Sequence, residues 1–165
     1  MLTEWGSHAT IGLHLGDSDE AEIQGASALL PKLSRGMFLL HDANFFGGAY
    51  LEALNAKGVR AVFALPSTVA VQRMRKLPDG SYLALLKPQP RALYPLQRAG
   101  WLRVIEYQLT DERLGEPDRV DRLGTTWLNP RTAAAKEVLV LYHERWEIEL
   151  VVDEIKTHLR VQHKV

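Results

Sequence analysis

Two short apolar runs, "MFLLHD" (37–42) and "VRAVFAL" (59–65), stand either side of the helical pattern "GGAYLEALNAKG", which Gly58 closes. Strands this continuously apolar belong to sheets covered on both faces, so the runs predict an α/β fold. Upstream, "TIGLHLG" (9–15) alternates as a strand does. Asp17, Ser18 or Asp19 can then cap a helix through "EAEIQGASALLPKLS", which Pro31 bends or interrupts near its end. The order to this point is strand, helix, strand, helix, strand. Asp42 closes the first of the two apolar runs, and an acid there is either a turn or helix cap or a site residue, depending on what partner it meets.

From Val69 the pattern changes. "VAVQRMRKLPDGSYLALLKP" contains two alternating runs about Pro78, Asp79 and Gly80, a hairpin with its turn chemistry in place. "WLRVIEYQLT" and "RLGTTWLN" add two more strands, which together make an antiparallel module inserted into the α/β domain. "PRTAAAKEVLVLYHERWEIELVVDEIKTHL" returns to helical period, with Asn129 or Thr132 as cap and Pro130 near the first turn. The chain shows no internal repeat, low-complexity tract or flexible linker.

At 165 residues, 46% hydrophobic and 24% charged, the chain fits one globular domain. Without cysteine it has no disulfide framework, thiolate nucleophile or thiolate metal site. No apolar run approaches a membrane span, and "LTEWGSH" after Met1 is not a signal peptide, so a soluble, cytoplasmic protein without membrane contact is expected. Net charge is zero but unevenly placed: residues 1–31 carry acids and no Lys or Arg, whereas residues 57–103 carry nine cations against Asp79 alone. That stretch suits either a polyanion such as DNA or a solvated basic surface.

The segment "YHERWEIELVVDEIK" (142–156) carries the most chemistry. On an α-helix, at about 100° per residue, Tyr142, Arg145, Glu149 and Lys156 share one narrow stripe. Leu141, Ile148, Val151, Val152, Ile155 and Leu159 form a separate, core-facing stripe. Asp153 stands one turn beyond Glu149, and such a carboxylate pair needs a nearby cation, which Arg145 or a metal can provide. The plain alternative is a solvated face with an Arg145–Glu149 pair. The six histidines show no metal-ligand spacing, and no phosphate loop or nucleophile elbow occurs. Trp101 and Trp127 can stack on an unpaired base or pack in the core.

The spacing of Tyr142, Arg145, Glu149 and Lys156 resembles the Y-R-E-K signature of bacterial insertion-sequence transposases of the DDE type. "GMFLLHDANFFGGAYLEAL" is similar to that family's strand ending in a catalytic Asp, an aromatic and a helix. The resemblance implies an RNase H-like mixed sheet flanked by helices, with a β-rich antiparallel insertion before the last long helix. On that reading residues 1–67 are a partial RNase H-like core, 68–128 the insertion, and 129–165 the signature helix completing the core.

The resemblance further implies that Asp42 and Glu149 are catalytic acids holding divalent metal, Mg²⁺ or possibly Mn²⁺, for two-metal cutting and joining of DNA phosphodiesters. Tyr142, Arg145 and Lys156 would bind the DNA, double-stranded inverted repeats at the transposon end, with a homodimer conceivable for the full-length protein. No residue matches the family's first Asp, and Ala43 and Asn44 replace its usual Arg and Gly after the second. The chain therefore resembles a transposase truncated at both ends, inactive alone. The alternative is a non-catalytic DNA-binding or subunit-interaction remnant of a degenerate transposase.

Overall fold

The computed structural model describes residues 1–4, 6–17, 19–87, 100–108, 120–146 and 157. Within them lie two sheets. Strands β1 (Leu2–Thr3) and β2 (Thr10–Gly12) form an antiparallel pair. A mixed six-stranded sheet has the order β3 (Phe38–His41), β4 (Arg60–Ala64), β8 (Val120–Thr125), β7 (Gly100–Gln108), β6 (Tyr82–Leu86) and β5 (Gln72–Lys76). The two apolar runs are its one parallel pair, with Phe38 opposite Arg60 and His41 opposite Phe63, and all other neighbours run antiparallel. The β-rich module therefore continues the sheet of the α/β core, joined to it where β8 pairs with β4.

Helices cover both faces, as continuous apolar strands require. On one face α1 (Glu22–Ala28) and α2 (Gly48–Lys57) pack Ile23, Tyr50, Leu51 and Leu54 against Leu39, Ala61, Phe63 and Ala84. On the other, α3 (Ala135–His143) packs Val138 and Tyr142 against Val62, Ile105 and Leu123. Strand alternation decides which residue faces which layer. Leu39 and His41 point to α2, while Phe38, Leu40 and, one step beyond the strand, Asp42 fall on the α3 side. The fold is thus mixed α/β and RNase H-like, with an acid delivered toward α3.

Several local expectations change. The "TIGLHLG" strand shortens to Thr10–Gly12. The first helix is capped by Ala21, whose N–H donates to the Gln24 side chain at 3.3 Å, and Asp17 instead accepts from the Glu20 N–H in the preceding turn. Pro31 falls in a 3₁₀ turn, Leu30–Lys32, directly after the helix. The third helix starts later than its sequence suggests: Asn129 spends its side chain on the Arg131 N–H at 3.0 Å in a separate turn, so neither it nor Thr132 is the cap. The cap is Ala134, whose N–H donates to Glu137 at 2.9 Å. At the far end the α-helical period gives way to a 3₁₀ turn, Glu144–Trp146. Arg145 lies in that tighter turn rather than in the α-helix that carries Tyr142, and Glu149 and Lys156 lie outside the described residues.

Candidate active site

Asp42 leaves the carboxyl end of β3 in extended conformation and caps the 3₁₀ turn Ala43–Phe45, its Oδ1 accepting the Ala43 N–H at 2.5 Å. The capping reading of this acid is correct, and it commits one oxygen only. Among the described residues nothing donates to Oδ2. The carboxyl ends of parallel strands are where open α/β sheets place ligands, and Asp42 stands at that edge, beside the end of β4.

Tyr142 reaches the same point from α3. It is buried, 7% exposed, and its hydroxyl titrates above the ordinary tyrosine value, first because burial disfavours phenolate. The Arg145 guanidinium opposes that shift, the Asp42 carboxylate adds to it, and the Ala64 peptide at the end of β4 opposes it. Tyr142 packs in the same cluster as Leu40 and Ala64, near the ends of β3 and β4. The Arg145 guanidinium carbon lies 5.7 Å from the Tyr142 ring centroid. Of the sequence candidates, Tyr142 and Arg145 are neighbours, and the charge of Asp42 acts on the same phenol. Glu149 and Lys156 lie outside the described residues.

Behind Asp42 stands His41, which sequence reasoning weighed only for metal spacing. Its ring stacks on Phe63 at 5.0 Å and 14°, meets Tyr50 edge-on at 5.5 Å, and lies 5.4 Å from Phe45. Burial lowers it to about 4, so at neutral pH it is an uncharged aromatic wedge that fixes the end of β3. A cavity of about 840 Å³ is lined by Leu2, Thr3 and Ile11, by residues of β3 including His41, and by Arg145. Its lining is mostly apolar.

The basic stretch reads differently in three dimensions. Arg103 is fully buried, Arg73 bonds both Glu106 oxygens, Arg60 donates to the Thr126 carbonyl, and Lys57 donates to that of Leu33. Four of its nine cations are therefore occupied within the fold. Arg75, Lys76 and Lys87 are exposed, and Arg91 and Arg98 lie outside the described residues. Trp127 packs, edge-on to Phe38 at 5.5 Å and donating to Thr132 at 2.8 Å, whereas Trp101 is 47% exposed.

The mixed six-stranded sheet with helices on both faces and its one parallel pair at an edge defines an RNase H-like α/β protein. The chain belongs to the transposase DDE domain family, whose model matches residues 2–164. That membership gives it a transposase-type function. Neither a curated protein nor a solved structure matches it.

The family generally uses divalent metal ions, and Asp42 suits one. Mg²⁺ is commonly held by one or two carboxylates with water and substrate phosphate, and the Asp42 Oδ2, which has no donor among the described residues, is an oxygen of that type. Among the described residues no group of three or more His, Cys, Asp and Glu gathers in ligand geometry. No described helix is long and apolar enough to cross a membrane.

Proposed function

We propose that this chain carries part of the catalytic site of an insertion-sequence transposase that cuts and joins DNA phosphodiesters at transposon ends. The observation that carries the reading is that Tyr142, packed in one cluster with Leu40 and Ala64 near the ends of β3 and β4, has the Arg145 guanidinium beside its ring and feels the charge of Asp42, the residue that follows β3. Packing alone does not ask for an acid, a phenol and a guanidinium at one sheet edge.

Asp42 and Glu149 would hold the metal, Mg²⁺ or Mn²⁺. When bound, that ion supplies charge stabilisation for the attacking and leaving oxygens of an in-line displacement at phosphorus. The chain's own residues do the positioning. Arg145 presents a planar fork matched to two phosphate oxygens, and Lys156 offers a compact point charge to a neighbouring phosphate. Tyr142 is protonated at neutral pH, as an ordinary tyrosine is, and its raised titration only deepens that, so it can donate a hydrogen bond to a phosphate oxygen. His41 holds the strand end that aims Asp42.

Duplex DNA binding across salt tests the reading. Affinity should fall steeply between about 50 and 200 mM salt, and Arg145→Ala should weaken binding and reduce the slope by about one counterion. A flat salt response, or an Arg145→Ala variant that binds as well as the parent, would contradict it.

A further inference from the structure

The stretch read as basic surface contains one arginine that is nothing of the kind. Arg103 occupies the middle of β7 at 0% exposure and faces α3, in the same parity as Ile105. The polar contacts of its guanidinium tie the β5–β6 turn to the segment that leads into α3. Nε donates to Ser81 Oγ at 2.9 Å, Nη1 to the Ala133 carbonyl at 2.6 Å and more distantly to that of Trp127, and Nη2 to Asp79 Oδ2. Asp79, in the β5–β6 turn, then accepts the N–H of Ala135 at 2.8 Å. Ala135 is the first residue of α3, so this carboxylate satisfies one of the helix's orphan donors and stands at the positive end of its dipole.

We propose that the Asp79–Arg103 pair positions the candidate site: it fixes the roll of α3, and through that roll the placement of Tyr142 and Arg145 against Asp42. The inference rests on reading those three residues as one site. Ala135 and Tyr142 are seven positions apart, almost two full turns, so they share a face of the helix, and both are buried. Fixing the roll at Ala135 therefore fixes it at Tyr142. The hydroxyl sits roughly 9 Å from the helix axis, and a roll of about 20° would carry it about 3 Å. A displacement of that size takes a donor out of hydrogen-bond reach and separates it from the Asp42 carboxylate.

Two variants separate positioning from mere support. Asp79→Asn keeps the size and the Ser81 contacts but loses the charge. Asp79→Leu with Arg103→Met removes the polar network altogether, a replacement that often leaves stability unchanged or improved. The first readout is the Tyr142 hydroxyl titration, followed by ring-¹³C tyrosine NMR and assigned with Tyr142→Phe. The second is duplex DNA affinity. In both variants, folded cooperatively, the Tyr142 titration should move back toward the ordinary tyrosine value and DNA affinity should fall about tenfold. A folded double variant in which Tyr142 titrates as in the parent would overturn the proposal, and so would failure of both variants to fold, because a positioning pair is dispensable for folding. If the Tyr142 titration moves as expected while Arg145→Ala leaves DNA binding intact, the DNA reading of the site fails and the positioning role stands.

Discussion

The carboxylate of Asp42 raises the hydroxyl titration of Tyr142 although one closes a strand on the sheet and the other sits in the helix that covers it. Burial contributes the larger part of the shift, and the charge of Arg145 works against it. Replacing Asp42 with Asn should therefore lower the Tyr142 titration, and replacing Arg145 with Met should raise it further. Ring-¹³C NMR of the tyrosines across pH 8 to about 12 reads both changes. Movement of both in one direction would show that the two charges do not flank the phenol.

Arg103 is enclosed with Asp79 as its charge partner, so removing one member leaves the other buried and uncompensated. Arg103→Met alone should cost about 3 to 5 kcal/mol in a urea titration, and the joint Asp79→Leu change should recover most of it. Burial on its own would push Asp79 up, but hydrogen bonds from Ser81 and Ala135 and the charge of Arg103 hold it below the usual carboxylate range. Since the unfolded chain then binds the proton more readily, this stability is complete above about pH 4 and is lost as pH falls through the folded value.

His41 acts in a higher window. Its folded value of about 4 lies below the ordinary 6.5, so the unfolded state takes up the proton first. Stability should decline as pH drops from about 6.5 to 4, by an amount on the order of 3 kcal/mol. His41→Phe keeps the stacking on Phe63 and should abolish that decline while leaving the acid limb from Asp79. An unchanged slope between pH 6.5 and 4 would show that His41 is accessible to protons in the fold.

The parallel strands, the hairpin and both helix faces of the core were legible because each rests on a local signal. "MFLLHD" and "VRAVFAL" have no polar face, Gly58 closes α2 at φ 69, and Gly80 takes φ 87 in the turn after Pro78 and Asp79. The start of α3 was not legible, because the group that receives the Ala135 N–H is Asp79, some fifty residues earlier, and no local cap announces it. Arg103 misled for the same reason. Charge counting assigns it to a surface, and only its parity with Ile105 in an apolar strand, together with the lone acid of that stretch, signals a buried pair. Of the candidate site, Asp42, Tyr142 and Arg145 stand out through the resemblance of their segments to the transposase strand and signature spacing. What the spacing could not supply was the route by which they meet, since that depends on which face of β3 the last residue takes and on where α3 lies across the sheet.

On the proposed function, Asp42 and Tyr142 border one cation and phosphate site. Paramagnetic Mn²⁺ tests it most directly, since it broadens the resonances of nearby rings. Titrated into the protein, Mn²⁺ should broaden the assigned Tyr142 ring signals before those of Tyr82 in the β5–β6 hairpin, and Asp42→Asn should remove the effect. Broadening that spares Tyr142, or that persists undiminished in Asp42→Asn, would contradict the account.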